Sequence, residues 1–407
     1  MMTRVIEYRD PVENCPGFLV YDRMDSRLAA GGCRMSADLT ADTLRTLAAR
    51  MTLKQRVLGI GVDGAKCGIA YDPRGPERAA VLARFVRFLE GELRTRFSMG
   101  CDMGTRFEEL ERIAADAGIG SVKVAIRHAQ QITDTEFRAR MGLLDIPVGP
   151  LTLGQRRAGH ALAHAALAAA THSGRRLTQV TVALQGFGNL GRAAAAALLD
   201  EAVRVTAVTD AYGCAIDPRG LDLARMLTID QIRPVPGLLG DPMRLPKEAL
   251  FDLPADVMIL AGGEDAMSPA QAAVVPVPIV AVGANCGLSE TAEQLLTDRG
   301  VLVVPDFIGG IGGSASMEAL FGPTATPDPR EVLDTLAAMM RELVGDILCG
   351  ARDRGVSARR IALDIAAAAG PTGDRPYGTS PYRVSRAAPR GRRAAVVPAP
   401  PTEEETR

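Results

Sequence analysis

The run Gln179–Val180–Thr181–Val182–Ala183–Leu184–Gln185 is short and apolar, and it passes without a linker into Gly186–Phe187–Gly188–Asn189–Leu190–Gly191. An Ala-rich helical stretch, 192–199, follows at once, and a second apolar run over 204–208 ends at Thr209–Asp210. Few folds accept this order. Gly-x-Gly-x-x-Gly at a strand-to-helix turn, with an acidic residue closing the next strand, is the signature of a dinucleotide-binding βαβ unit. Gly186 permits the tight turn, Gly188 lets the backbone approach a pyrophosphate, and Gly191 lets helix and strand pack closely. Phe187, Asn189 and Leu190 complete the turn, whose N–H groups and positive dipole end face the phosphates. Asp210 is placed to accept hydrogen bonds from the adenosine ribose, which favours NAD; the nearby Arg204 leaves NADP open. The competing reading of Asp210 is a cap on the turn before Gly213.

Further along, Val257–Leu260, 278–282 and 301–304 are short apolar runs, each followed by Gly or Pro and separated by helical stretches. That alternation predicts an α/β fold with a doubly wound parallel sheet. A chain of 407 residues is too long for one ordinary core, so a second domain is expected. Pro147 and Pro150 mark its boundary. The N-terminal part opens with β-like runs and a break at Gly31–Gly32. A helix over 39–53, capped by Thr40 or Asp42, follows, then a Gly-rich strand and turn over 60–69 and an amphipathic helix over 76–96. Residues 329–368 read as helical, and from about 370 the Pro- and Arg-rich composition predicts disorder.

Net charge is −1, Trp is absent and aromatics are only 4%, which argues against a nucleic-acid partner. No apolar run reaches membrane-spanning length, so no membrane association is expected. Seven cysteines without paired spacing point to a reducing, cytoplasmic setting. His160 and His164 lack the glutamate of a zinc-binding helix, and no metal site is expected.

Lysine is scarce. Of 47 basic residues only four are lysines, so a chain that writes Arg for generic charge keeps Lys54 and Lys66. An amine, unlike a guanidinium, can lose its proton near neutral pH when buried. Lys66 stands in Asp63–Gly64–Ala65–Lys66–Cys67–Gly68, where small residues admit a substrate.

The order and spacing of Gly31–Gly32–Cys33–Arg34–Met35, Met51–Thr52–Leu53–Lys54, Gly64–Ala65–Lys66 and Asp102–Met103–Gly104–Thr105 resemble the glutamate/leucine/phenylalanine/valine dehydrogenases. The N-terminal motifs are most like those of the leucine and phenylalanine enzymes. Gly186–Gly191, Gly283–Ala284–Asn285, Pro305–Asp306 and Gly312–Gly313 extend the resemblance over about 1–368.

The resemblance implies an N-terminal α/β substrate and oligomerisation domain (1–150) and a Rossmann-type NAD domain (151–330). Helices over 331–369 then pack back toward the cleft, before a tail over 370–407. It implies NAD-linked oxidative deamination of an L-amino acid to a 2-oxo acid and ammonia, by a homo-oligomer. Lys54 matches the lysine that holds the α-carboxylate, beside Gly31 and Gly32. Lys66 matches the catalytic lysine, and Asp102 matches the aspartate that exchanges protons with the substrate nitrogen. A neighbouring Lys54 charge is expected to help Lys66 lose its proton. Asn285 falls in the cofactor-binding set, as does Thr152 if one helical turn is inserted; Ala158 is the ungapped alternative.

Ala30 replaces the lysine that holds glutamate's side chain, and Met317 replaces a serine. With Gly100 they predict an apolar pocket suited to leucine, valine or phenylalanine. Two departures, Asp63 near Lys66 and Gly310 in place of an asparagine, keep open a non-catalytic sensor of NAD or amino acid. A glutamate dehydrogenase with a rebuilt side-chain site is the third alternative.

Overall fold

A computed structural model of the protein describes residues 3–229, 245–369 and 374–383. The N-terminal sheet contains β1 (Arg4–Arg9), β2 (Pro16–Tyr21), β3 (Leu28–Met35), β4 (Val62–Ile69) and β5 (Phe97–Cys101), in the order β1-β2-β4-β3-β5. β3 runs parallel to both β4 and β5 at the middle of this sheet. The Gly31–Gly32 pair, expected as a break, lies inside β3. A Cβ on Gly31 would fall 1.6 Å from the Ala65 carbonyl oxygen, so the glycine serves close strand approach rather than termination.

Helix Ala41–Val57 crosses β4 at similarly short range. Thr40 caps it, accepting from the Thr43 N–H, and a Cβ on Gly64 would lie 2.3 Å from the Thr52 nitrogen. This close packing buries Lys54, which projects from the helix's last turns.

A short hairpin of β6 (Pro147–Val148) and β7 (Leu151–Thr152) leads into helix Leu153–His172. The second sheet holds β8 (Thr181–Gln185), β9 (Arg204–Thr209), β10 (Cys214–Ile216), β11 (Val257–Leu260), β12 (Ile279–Val282) and β13 (Leu302–Val304). Its order is β10-β9-β8-β11-β12-β13, parallel throughout except for the edge strand β10. Order reverses beside β8, because β9 lies on one flank and β11 on the other. In such sheets ligands dock at the strand ends next to that reversal.

Helix Leu153–His172 packs against helices Asn189–Asp200 and Pro329–Arg354, and its Ala-rich middle is buried on all sides. Ala side chains let three helices approach closely. Helix Ala358–Ala368 returns to pack on helix Ala41–Val57. No helix among the described residues is long and apolar enough to cross a membrane.

The tail differs from its expected disorder over residues 374–383. Tyr377, Ser380 and Tyr382 are buried there. Glu318, itself buried, accepts from the Gly378 and Ser380 N–H groups and pairs with Arg383. Composition signalled a solvated tail, but ten residues find ready hydrogen-bond partners on the folded body. The rest of the expected tail, 370–373 and 384–407, lies outside the described residues.

Candidate active site

Between the two sheets lies a cleft of about 840 Å³, lined by β3, β5, helix Ala41–Val57 and the start of helices Leu153–His172, Asn189–Asp200 and Gly312–Phe321. Ala30, Gly31 and Gly32 form one wall, with Gly100 from β5 beside them. Lys54, Lys66 and Asp102 all face this space.

Lys66 Nζ lies 2.7 Å from Asp102 Oδ2, and Arg34 Nε donates to the same oxygen at 2.9 Å. Burial alone would raise the Asp102 carboxyl, but the adjacent Lys66 and Arg34 charges outweigh it and hold the group down at about 2. Asp102 is therefore a carboxylate at neutral pH. Gly32 is essential to access: a Cβ there would sit 3.1 Å from Lys66 Nζ. The backbone of Asp102 is fixed by the Thr105 hydroxyl, which accepts from its N–H and donates to the Cys33 carbonyl.

Lys54 reaches across the cleft. Its Nζ donates to Asn285 Oδ1 at 2.8 Å and to the Gly310 carbonyl at 2.9 Å. Burial, reinforced by the Lys66 charge, pushes its amine down to about 8. Other pairs also join the two sides: Arg34 with Glu264 at 3.1 Å, and Arg50 with Asp306 at 2.6 Å.

On the dinucleotide side, Gly186 has φ +92°, and a Cβ on it would meet the Ala261–Gly262 backbone at 2.8 Å. A Cβ on Gly191 would collide with the Gly186 carbonyl oxygen at 1.8 Å, so its role in helix–strand packing is direct. Nothing lies within 4 Å of the Cβ position at Gly188, which leaves room above the N-terminus of the 12-residue helix Asn189–Asp200. This turn fits a pyrophosphate on sterics and on dipole. Phe187 is buried beneath the Arg192 guanidinium at 5.5 Å, while Asn189 and Leu190 line the cleft.

Asp210 lies outside the cleft lining; its Oδ1 accepts from the Tyr212 and Gly213 N–H groups at 2.7 and 3.0 Å. The turn-capping reading thus describes one of its oxygens. Thr152 lines the cleft and caps helix Leu153–His172 in a reciprocal pair with Gln155. Ala158 lines the cleft as well.

Met317 joins Ala30 and Gly100 in the lining, so the three expected pocket residues converge. Asp63 does not join them. Its oxygens accept from the Ser26 N–H at 2.7 Å and the Ser26 hydroxyl at 3.1 Å, on the other face of β4 from Lys66. Gly310, lacking the amide of an asparagine, offers its carbonyl to Lys54 instead. His160 and His164 lie buried on one helix, His160 Nε2 lying 3.0 Å from the Leu333 carbonyl; burial pushes both imidazoles down, to about 4 and about 3.

Sequence reasoning passed over four residues of this site: Arg34, Lys123, Arg157 and Tyr377. For Lys123 the signal was present, since it is the third of the four lysines. Arg34 was already inside a quoted motif. Arg157 and Tyr377 carry no sequence mark that separates them from their neighbours.

Residues 153–369 match the family described as Glutamate/Leucine/Phenylalanine/Valine dehydrogenase, and residues 3–117 match Glu/Leu/Phe/Val dehydrogenase, dimerisation domain. The NADP-specific glutamate dehydrogenase A1 of Halobacterium salinarum is 30% identical over 291 residues, which span 70% of this chain and 66% of that protein. Glutamate dehydrogenase of Thermotoga maritima is 27% identical over 372 residues, 87% of this chain and 84% of that protein. Among solved structures, the hetero-hexameric glutamate dehydrogenase of Thermus thermophilus in its Leu-bound form superposes with a TM-score of 0.71. The identity is 26%, over 90% of this chain and 87% of that one.

Proposed function

The chain belongs to the glutamate/leucine/phenylalanine/valine dehydrogenase family, and from that premise we propose that it oxidatively deaminates an L-amino acid to a 2-oxo acid and ammonia, reversibly. The observation that carries this reading is the Lys66–Asp102 pair at 2.7 Å inside a cleft that also opens on the dinucleotide turn.

Bound NAD, or NADP, would accept hydride from the substrate Cα. The Gly186–Gly191 turn would hold its pyrophosphate and Asp210 its ribose, with Asn285 and Thr152 near the reacting end. Lys54, as an ammonium, would hold the substrate α-carboxylate against Gly31 and Gly32. Asp102 would take the proton that leaves the substrate amine as the Cα–H bond breaks and an iminium forms. Lys66, once neutral, would accept a proton from water as its oxygen bonds to the iminium carbon. Asp102 would then give its proton to nitrogen and, again a carboxylate, take the proton of the new hydroxyl as the C–N bond breaks, so that ammonia leaves and the C=O of the 2-oxo acid forms. Closing the cleft would exclude bulk water from these transfers.

The sensor alternative loses part of its motive, because Asp63 is engaged by Ser26 rather than by Lys66. The apolar wall of Ala30, Gly100 and Met317 supports a leucine-, valine- or phenylalanine-like side chain. A second reading, an acidic side chain, is favoured by the cations Lys123 and Arg157 in the same cleft. The match to a dimerisation domain supports assembly as a homo-oligomer through residues 1–150, with 151–330 as the cofactor domain. The test is NADH formation by purified protein with NAD and a panel of L-amino acids at alkaline pH. We expect turnover with at least one α-amino acid; NAD binding without any turnover would support the sensor instead.

A further inference from the structure

Lys54 Nζ is held by two acceptors, Asn285 Oδ1 and the Gly310 carbonyl, and one buried residue outside the cleft lining grips the backbone beside both. That residue is Asp306, 4% exposed, at the start of the short helix Asp306–Gly309 that follows β13. Its carbonyl accepts from the Gly310 N–H at 2.8 Å, which closes the turn that presents the Gly310 carbonyl. Its Oδ2 accepts from the N–H of Cys286, the residue after Asn285, at 3.1 Å. Cys286 has φ +54°, in the left-handed region that a non-glycine residue enters at a cost. A carboxylate on its N–H helps to hold that turn, and with it the neighbouring Asn285.

The same Oδ2 accepts from Arg50 Nη1 at 2.6 Å. Arg50 lies four residues before Lys54 on helix Ala41–Val57, so about one helical turn separates the cation that meets Asp306 from the amine that faces the cleft. Oδ1 accepts from Arg359 Nη2 at 2.8 Å, and Arg359 is itself fixed by Glu293, at 2.7 Å through both Nε and Nη2. Helix Ala41–Val57, the turn after β12 and helix Ala358–Ala368 thus converge on one carboxylate. Burial alone would raise that carboxyl, but the Arg359 and Arg50 charges and the hydrogen bonds it accepts hold it below its ordinary range. Asp306 is therefore ionised at neutral pH.

We propose that Asp306 is a positioning residue for the substrate's α-carboxylate: through Gly310, Cys286 and Arg50 it fixes where Lys54 Nζ stands. This rests on the dehydrogenase reading, in which Lys54 holds that carboxylate. Asp306 itself touches no substrate. It also acts on Lys54 by charge. Burial and Lys66, on β4, pull the Lys54 amine down, and Arg50 on its own helix adds to the fall. Asp306 and Asp102 oppose them and favour the ammonium. Arg50 and Asp306 are thus partners in one ion pair with opposite effects on the same amine.

The test uses that opposition. Asp306→Asn and Arg50→Gln break the same pair, so a merely structural role predicts the same change in both. Binding of 2-oxoglutarate and of 2-oxoisocaproate to the NADH complex of the full chain is followed by calorimetry across pH. We expect the alkaline limb to move down by roughly one pH unit in Asp306→Asn and up by roughly half a unit in Arg50→Gln. In turnover, Asp306→Asn should raise KM for the amino acid by about fivefold or more and lower kcat by less than that. Should Asp306→Asn impair folding, Arg50→Gln alone must still move the limb upward, since Arg50 is the more exposed partner. Limbs that stay in place or move in the same direction would overturn the proposal. With only four lysines in the chain, the Lys54 amine can also be titrated by NMR after isotope labelling at the lysine Cε, and the same opposed shifts are expected. If neither 2-oxo acid binds at any pH, the dehydrogenase reading fails, while the lysine titration still decides what Asp306 does to Lys54.

Discussion

Lys54 shows how burial turns an ordinary residue into a pH-sensitive one. In its proposed role it must carry a proton to hold a carboxylate, yet burial and the Lys66 charge bring its amine down to about 8. In the free enzyme the ammonium is present below that value and is lost as pH rises through it. Binding of a 2-oxo acid to the NADH complex should therefore weaken by roughly tenfold per pH unit above this point. Lys54→Arg, which cannot titrate there, should bind with a flatter profile. An identical alkaline limb in wild type and variant would assign the titration to another group. Lys54 and Lys66 were legible in the sequence because lysine is rare in this chain, and the same scarcity marks Lys123. Partnership was not legible. Nothing in a linear chain says that Asp63 would be taken by Ser26, or that Lys54 would meet Asn285 231 residues away.

The parallel sheet, its glycine turn and most of its strands could be read from apolar runs punctuated by Gly and Pro, since a strand buried on both faces leaves that pattern. β10, three residues long, is too short to show any period. Glycine misled in one place: Gly31–Gly32 reads as a break, but close approach by β4 requires it inside a strand. The same logic governs Gly64, packed beneath helix Ala41–Val57. A Cβ there would lie 2.2 Å from the Ala48 carbonyl and 2.3 Å from the Thr52 nitrogen, both backbone atoms that cannot swing aside. Gly64→Ala should destabilise the fold by about 1–3 kcal/mol and displace Lys66, two residues on. Gly91→Ala, in helix Glu90–Thr95 with nothing within 4 Å, should be neutral or stabilise by up to about 1 kcal/mol. Chemical denaturation of both variants checks the pair, and equal midpoints would refute the packing argument.

Across the whole molecule, the two sheets are tied by polar contacts that span the cleft, and residues 374–383 add a strap on its flank. Pro376 accepts from the Gly61 N–H, the Thr379 hydroxyl donates to the Gly59 carbonyl, and Gly378 and Ser380 donate to Glu318. Composition hid this strap because polar, Pro-rich segments look alike whether solvated or docked. The strap, Arg34–Glu264 and Lys54–Asn285 together hold both sides of the cleft around the Lys66–Asp102 pair. The central claim is that this enclosed pair moves protons for an amino acid dehydrogenase, and Lys66→Ala tests it most directly. NADH formation with the best amino acid substrate should fall at least 100-fold, in the range expected for loss of a general acid–base group, while NAD affinity stays unchanged. Equal NADH formation by wild type and variant would contradict the role given to Lys66.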